Sequence, residues 1–256
     1  MANESTSLDR LPITTAPPSG TVALVTGANS GIGLAVATGL HRLGVSVWVA
    51  ARSREKGAAA AASIGEDVRA VQLDVTDPDS IDRAVREVGE LDILINNAGI
   101  NPGGEDIAHT DAAQFRRAYE TNVFGVVSVT EAFLPTLQRS ARPRIVNVSS
   151  GTGSLAWNSG PNPQFDWQAV RGSGIAYRSS KAAVNAVTLL TAQALGERFK
   201  VNALAPGLRA TNLLPNIPAS AGDPAEAAEG VIRLALLPDD GPSGALWSWD
   251  GTRAPW

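Results

Sequence analysis

The feature that most constrains the fold is an alternation, from Thr21 onward, of short apolar runs with amphipathic stretches. The apolar runs are rich in β-branched residues and bounded by turn residues, which is typical of strands buried on both faces of a parallel sheet. The predicted strands span residues 22–25, 45–50, 70–73, 91–95, 144–148, 201–204 and 245–249. The alternation therefore predicts a doubly wound α/β fold, with a seven-stranded parallel sheet and helices on both faces.

Two helix starts carry capping signals. Asp77 precedes Pro78, so a side chain that caps a helix is followed by proline at the first helical position. Asp223 and Pro224 repeat this arrangement, and Glu226 stands where it would close a capping box.

Composition excludes several classes of protein. The chain has 256 residues, of which 44% are hydrophobic and 18% charged, and these fractions are those of a soluble globular protein rather than a disordered one. A net charge of −4 argues against a nucleic-acid partner. No cysteine and only two histidines are present, so we expect no disulfide and no metal site. No apolar run approaches the roughly 18 residues of a membrane helix, and we expect a cytoplasmic protein.

The length favours a single domain. We predict a flexible N-terminal tail over residues 1–19 and one α/β domain over residues 20–256. Two segments interrupt the alternation, 151–175 and 206–222, and both are rich in Gly, Pro, Asn and Ser. Because loops after the strands of such a sheet line its ligand crevice, these segments are the predicted substrate loops.

A glycine-rich turn links the first predicted strand to the first helix. Gly27 permits the tight turn, Gly31 removes a side chain where a pyrophosphate approaches the backbone, and Gly33 lets helix and strand pack closely. The helix that follows presents free N–H groups and a partial positive charge to phosphate. This context favours a Rossmann-type dinucleotide site, and the alternative is an ordinary glycine-rich turn.

The end of the second strand bears on the choice of dinucleotide. A site for NAD usually places an acid there to bind the ribose 2′-hydroxyl, but no acid occurs before Glu55, and Arg52 and Arg54 occur instead. A guanidinium suits a 2′-phosphate, so NADP(H) is favoured over NAD(H), unless these arginines are merely solvated. Asp74, after the third strand, either accepts a hydrogen bond from the adenine amine or caps its own turn.

Tyr177 and Lys181 are four residues apart, which places both side chains on one face of a helix. A tyrosine has an unperturbed pKa near 10, so acid–base work near neutrality calls for a drop of roughly three units. A neighbouring ammonium stabilises the phenolate and lowers the pKa of the phenol. The only other tyrosine, Tyr119, has no lysine at helical spacing.

The chain resembles the short-chain dehydrogenase/reductase family in its single-domain form of about 250 residues. The resemblance covers residues 20–251 or so, and its motifs fall in the family's order on the expected elements. The matching residues are Thr26-Gly27 with Gly31 and Gly33, Asn96-Asn97-Ala98-Gly99, Asn122, Ser150, Tyr177 with Lys181, and Pro206-Gly207.

The resemblance implies specific site residues. The catalytic residues would be Asn122, Ser150, Tyr177 and Lys181. Asn122 matches an asparagine that holds a water in a proton relay to the lysine. Ser150 matches the catalytic serine, because a glycine, Gly153, stands three residues later, and Ser149 would then point elsewhere. The cofactor-binding residues would be Gly27, Asn29, Ser30, Gly31, Ile32, Gly33, Arg52, Asp74, Val75, Asn97, Ala98, Gly99, Tyr177, Lys181, Pro206, Gly207 and Thr211.

The activity that the resemblance implies is hydride transfer between NADP(H) and the carbonyl or alcohol carbon of a moderately apolar ketone, aldehyde or secondary alcohol. In reduction, Ser150 would bind the carbonyl oxygen and Tyr177 would act as general acid. The alternative is a non-catalytic NADP(H)-binding sensor or scaffold on the same fold.

Tyr177 lies 27 positions after Ser150, about twice the gap in compact family members. This insertion is similar to that of carbonyl-reductase-like members, in which it can cover a helix face used for tetramer formation. A monomer or homodimer is therefore favoured over a tetramer. Ser150, Tyr177, Trp157 and Trp167 are the predicted substrate contacts. The alternative for the tryptophans is a loop that folds back on its own aromatic side chains.

Overall fold

The computed structural model describes residues 17–103, 106–213, 216 and 218–256. Most of the predicted N-terminal tail, residues 1–16, lies outside this range. Eight strands are described: β1 Val22–Thr26, β2 Ser46–Ala51, β3 Arg69–Gln72, β4 Ile93–Asn96, β5 Arg144–Val148, β6 Lys200–Ala205, β7 Ala245–Ser248 and β8 Arg253–Ala254. Each of the seven predicted strands is confirmed to within two residues at either end.

The helices alternate with these strands. Those described are α1 Gly31–Arg42, α2 Arg54–Ile64, α3 Pro78–Val88, α4 Ala112–Tyr119, α5 Gly125–Arg139, α6 Leu155–Asn158, α7 Ile175–Leu195 and α8 Pro224–Ala235. A π-helical turn, Glu120–Phe124, joins α4 to α5, and a 3-10 turn, Gly151–Gly153, follows β5.

The strands form one sheet in the order β3-β2-β1-β4-β5-β6-β7-β8. The pairs from β3 through β7 are parallel, as predicted, whereas β7 and β8 pair antiparallel, so the expectation of seven strands is corrected to eight. The chain reverses at Gly251, which has a φ of +82°. The added strand has only two residues and precedes Pro255, so it is too short to produce a periodic pattern in the sequence.

Helices cover both faces of the sheet. One buried cluster joins alternate residues of β1 and β2 to α1 and α8 and includes Val25, Leu40 and Val231. The other joins the opposite face of the strands to α3 and α5 and includes Leu24 and Phe133. Neighbours in β1 thus enter different cores, which explains why the parallel strands are apolar throughout.

The strand order places a crevice between β1 and β4. From β1 the chain runs outward through β2 and β3, then crosses back to β4 and runs outward in the other direction. Ligands of doubly wound sheets bind at such a switch point, outside the carboxyl ends of the strands. The turn beginning at Gly27 and the segment beginning at Asn97 therefore face each other across the predicted site.

The two predicted helix starts are confirmed at α3 and α8, where Asp77 and Asp223 are the capping residues and a proline follows each. The prediction of a capping box at α8 was wrong. Asp223 caps Ala225, but the carboxylate of Glu226 pairs with Arg209, with 3.1 Å between Nη1 and Oε2.

No helix among the described residues is both long and apolar enough to span a membrane. In the same part of the chain, no group of three or more His, Cys, Asp and Glu side chains is placed to hold a metal ion.

Candidate active site

A cavity of about 890 Å³ opens at the carboxyl ends of the strands. Most of the predicted cofactor residues line it: Gly27, Asn29, Ser30, Gly31, Ile32, Arg52, Asp74, Val75, Asn97, Ala98, Gly99, Tyr177, Lys181, Pro206 and Thr211. Gly33 and Gly207 do not. Lining residues that the sequence did not single out are Ser53, Lys56, Leu73, Thr76, Ile100, Asn101, Thr121, Val148, Ser149, Asn212 and Leu213.

The glycine turn has the backbone geometry that the sequence predicted. Gly27 and Gly31 have φ angles of +64° and +57°, in the left-handed region that favours glycine. A Cβ on Gly33 would lie 2.4 Å from Asn97 Nδ2 and 2.8 Å from Gly27 O, so no other residue fits without displacing the loop. Gly33 therefore shapes the site from behind the cavity wall.

The Thr26 hydroxyl joins the two sides of the crevice. It accepts hydrogen bonds from the Asn97 and Ala98 backbone N–H groups, at 2.9 and 3.0 Å. In return, Asn97 Nδ2 donates to Thr26 O at 2.8 Å. Thr26 is 1% exposed, so these bonds form without competition from water and hold the end of β4 against the end of β1.

The far end of the cavity, beyond β2, carries positive charge. Arg52 and Lys56 both line it, whereas Arg54 is exposed and does not. Lys56 is the third residue of α2, and its backbone N–H donates to the capping side chain of Ser53. The sequence did not single out Lys56, because the position at which α2 begins could not be predicted from it.

Asp74 caps its own turn. Its Oδ1 accepts from the Thr76 backbone N–H at 2.9 Å and from the Thr76 hydroxyl at 2.7 Å. The structure therefore agrees with the alternative prediction that Asp74 caps its own turn. The contact with adenine stays a prediction.

Tyr177 and Lys181 lie at the other end of the cavity, on α7, and both line it. The predicted placement on one helix face is thus seen in the structure. Lys181 is 5% exposed, and its Nζ lies 5.8 Å from the Tyr177 ring centroid and donates to Val148 O at 2.8 Å.

The two serines after β5 point in different directions. The Ser149 side chain donates to Asn185 Oδ1 at 2.5 Å inside the protein, although Ser149 also lines the cavity. Ser150 is close enough to Tyr177 to lower the pKa of its phenol, but Ser150 does not itself line the cavity. The turn that carries Ser150 packs tightly on α7, because a Cβ on Gly153 would come within 2.7 Å of the Lys181 carbonyl carbon.

Asn122 lies in the π-helical turn and is fully buried. Its Oδ1 accepts from the Ile100 backbone N–H at 2.8 Å, and its Nδ2 donates to Ile100 O and to Ser180 Oγ, both at 2.9 Å. The side chain therefore fixes the segment after β4 to α7. Its role in a proton relay stays a prediction.

Burial acts on both members of the tyrosine–lysine pair. It raises the pKa of the Tyr177 phenol to about 12, although the hydrogen bond to Ser150 acts in the opposite direction. It lowers the pKa of the Lys181 ammonium to about 8. The expected drop in the pKa of Tyr177 is absent because desolvation of the phenol is the larger effect.

The tryptophans of the insertion do not line the cavity. Trp157 is 7% exposed and packs with Leu246, Ala254 and Phe165. The packing of Trp157 agrees with the alternative prediction, in which the insertion buries its own aromatic side chains. Trp167 is half-buried. Contact of either tryptophan with substrate stays a prediction.

Comparison with known proteins decides the family. The model of the short chain dehydrogenase family matches residues 21–163, more than half of the chain. The chain belongs to the short-chain dehydrogenase family.

Members of several kinds are similar to this chain. Salutaridine reductase of Papaver bracteatum is 34% identical over 292 aligned positions, which cover 88% of this chain and 93% of that protein. The structure of menthone neomenthol reductase from Mentha piperita has a TM-score of 0.70 and 30% identity, covering 90% of this chain and 99% of the other. That of 3-ketoacyl-(acyl-carrier-protein) reductase from Brucella melitensis, complexed with NADH, has a TM-score of 0.78 and 25% identity, covering 91% and 97%.

Because burial lowers the pKa of Lys181, we expect the free energy of unfolding of this short-chain dehydrogenase to depend on pH. The folded state binds the lysine proton more weakly than the unfolded state, so burial destabilises the protein below pH 8, and the penalty fades as the pH rises towards the unfolded value of 10.5. Without added dinucleotide, Lys181→Met should raise the free energy of unfolding at pH 7 by about 1–3 kcal/mol, and the gain should shrink by pH 10.

Urea unfolding across this pH range measures the difference. Lys56→Met is the matched control, because it makes the same change at an exposed lysine. A Lys181→Met protein less stable than the original chain at pH 7 would contradict the assignment of a desolvated ammonium.

Proposed function

We propose that this chain is an NADP(H)-dependent reductase of moderately apolar ketones or aldehydes, working in reverse on the corresponding alcohols, with Tyr177 as general acid and base. The observation that carries the proposal is that Tyr177, Lys181 and the glycine turn line the same cavity. The Tyr177 phenol, the Lys181 ammonium and the turn proposed to bind a dinucleotide are therefore in the same cavity.

The residues of the cavity fit a nicotinamide dinucleotide. Positive φ angles at Gly27 and Gly31 let the backbone approach a pyrophosphate, beside the amino end of α1. Asn97 and Gly99 come from the opposite strand, β4, and line the middle of the cavity. A volume of about 890 Å³ falls within the range of cofactor sites.

Arg52 and Lys56 support NADP(H) over NAD(H). A 2′-phosphate is a dianion near neutral pH, and the cavity lining at this end includes a guanidinium and an ammonium. Asp74, the acidic residue that also lines the cavity, engages Thr76 through its Oδ1.

The proton chemistry belongs to Tyr177. When bound, a reduced nicotinamide would supply the hydride for a carbonyl carbon. The O–H bond of Tyr177 breaks as its proton passes to the carbonyl oxygen, while the Ser150 hydroxyl donates a hydrogen bond to the same oxygen. Since an alkoxide is far more basic than a phenolate, a phenol with a pKa of about 12 transfers its proton readily.

Lys181 stabilises the phenolate that remains. With a pKa of about 8, the lysine is mostly protonated at pH 7, and its ammonium lies 5.8 Å from the phenol ring centroid. Burial strengthens this attraction, because few waters screen it. The phenolate then regains a proton before the next turnover.

Apolar side chains around the loop after β6 support an apolar substrate. Pro206 and Leu213, on this loop, line the cavity. Leu208 and Trp249 lie beside the loop but do not line the cavity, and the Arg209 guanidinium lies 4.3 Å from the Trp249 ring centroid. The names of salutaridine reductase and of menthone neomenthol reductase agree with reduction of small molecules.

Tyr177→Phe should lower the turnover number for ketone reduction by about 100-fold or more, because the proton donor is lost, while the dissociation constant for NADPH stays unchanged. Tyr119→Phe is the matched control, since Tyr119 is the only other tyrosine, and it should keep full turnover. Oxidation of NADPH followed at 340 nm across aldehydes, ketones and quinones measures the rates. If the original chain binds NADPH but reduces none of them, the sensor or scaffold alternative replaces this proposal.

Arg52→Ala should weaken NADPH binding by about tenfold, the usual effect of removing a charged hydrogen-bond donor, and should leave NADH binding nearly unchanged. Arg54→Ala is the control, because Arg54 is two residues away, exposed and outside the cavity. Titration of dinucleotide fluorescence gives both constants. An equal loss of affinity for NADPH and for NADH would contradict the assignment of Arg52 to the 2′-phosphate.

A further inference from the structure

The insertion before Tyr177 is connected to Ser150 by hydrogen bonds. The hydroxyl oxygens of Ser150 and Thr152 are 2.8 Å apart, and the Thr152 backbone N–H donates to Ser150 Oγ at 3.2 Å. Two contacts from one residue therefore hold the Ser150 side chain, which restricts its rotation.

Asn158, at the end of α6, extends this connection. Its Nδ2 donates to Thr152 O at 2.7 Å and to Ser154 O at 2.6 Å. Its Oδ1 accepts a hydrogen bond from Arg178 Nη2. The amide thus joins the turn that carries Ser150 to the first turn of α7.

Arg178 is the residue directly after Tyr177. Besides Asn158, it donates through Nη1 to Val170 O and, at 3.0 Å, to Ser173 O. One guanidinium therefore binds three points of the insertion while its backbone belongs to the helix turn that presents Tyr177. Burial lowers the pKa of Arg178, but a guanidinium remains charged at any physiological pH.

We propose that Thr152, Asn158 and Arg178 form a positioning chain, through which the insertion fixes the Ser150 hydroxyl and the Tyr177 phenol relative to each other. The proposal rests on the proposed function, because it gives Ser150 and Tyr177 a common substrate oxygen. The chain begins at Ser150 and ends at Arg178, the residue after Tyr177, so it links the two residues that would meet the substrate oxygen.

The physical reason for such a chain is geometric. A serine hydroxyl has three rotamers, and only an orientation towards the substrate oxygen stabilises the charge that develops there. The two contacts from Thr152 restrict the directions in which the Ser150 hydroxyl can point. Hydrogen bonds that share groups in this way reinforce one another inside a protein.

A purely structural role would also explain the contacts, so the test needs readouts that stability alone does not change. The variants are Thr152→Val, which removes the hydroxyl at nearly constant volume, and Arg178→Met, which removes the guanidinium. Thr152→Ser restores the hydroxyl. Arg171→Met makes the same change as Arg178→Met at an exposed residue of the insertion.

The first readout is single-turnover hydride transfer with saturating NADPH and ketone, at a temperature where every variant is folded. Thr152→Val and Arg178→Met should each slow transfer about tenfold, with the dissociation constant for NADPH unchanged. The double variant should be no slower than the slower single variant, because both substitutions break one chain. Thr152→Ser and Arg171→Met should keep the original rate.

The second readout does not depend on activity. Since the chain has only two tyrosines, Tyr119→Phe protein labelled with 13C at the tyrosine ζ carbon gives one resonance, that of Tyr177. Thr152→Val and Arg178→Met should move this resonance in the same direction, whereas Thr152→Ser and Arg171→Met should leave it in place.

The outcomes separate the two proposals. Inactivity of the original chain on every carbonyl compound would refute the proposed function, and the Tyr177 resonance would still decide on the positioning chain. Additive losses in the double variant, or an unmoved Tyr177 resonance in both single variants, would overturn the positioning chain while the proposed function stands.

Discussion

The architecture of the site depends on one hydroxyl, that of Thr26. It accepts two backbone hydrogen bonds from the segment after β4, and so holds the ends of β1 and β4 together where the strand order reverses. The glycine turn starts at the next residue, and the Asn97 side chain returns the contact by donating to Thr26 O. Both walls of the cavity are therefore set by a contact at the base of the crevice, before any ligand arrives.

On that base, the protein holds a buried ammonium that it would be more stable without. Burial lowers the pKa of Lys181 to about 8, so the folded state binds the lysine proton more weakly than the unfolded state does. The neighbouring Tyr177 phenol, whose pKa burial raises to about 12, stays protonated at neutral pH and adds no such penalty. Asn122 and Gly153 belong to the surroundings that keep this arrangement rigid, one by hydrogen bonds to Ile100 and Ser180, the other by a close approach to α7. Stability is thus exchanged for a fixed geometry around the phenol.

Local patterns predicted much of this. The glycine turn, the two proline helix starts and the four-residue spacing of Tyr177 and Lys181 depend on neighbours in the chain, so the sequence shows them directly. The pairing of Glu226 with Arg209, the packing of Trp157 under β7 and β8, and the sign of the Tyr177 pKa shift depend on residues far apart in sequence. Burial in particular is a property of the assembled core, and a helix spacing contains no information about it.

The most direct test of the central claim is a crystal structure of the complex with NADP+ and an alcohol or ketone. The expected result is a 2′-phosphate within hydrogen-bonding distance of Arg52 and Lys56, and a substrate oxygen within hydrogen-bonding distance of the Tyr177 hydroxyl beside the nicotinamide. A dinucleotide bound outside the cavity, or a nicotinamide ring remote from Tyr177, would contradict it.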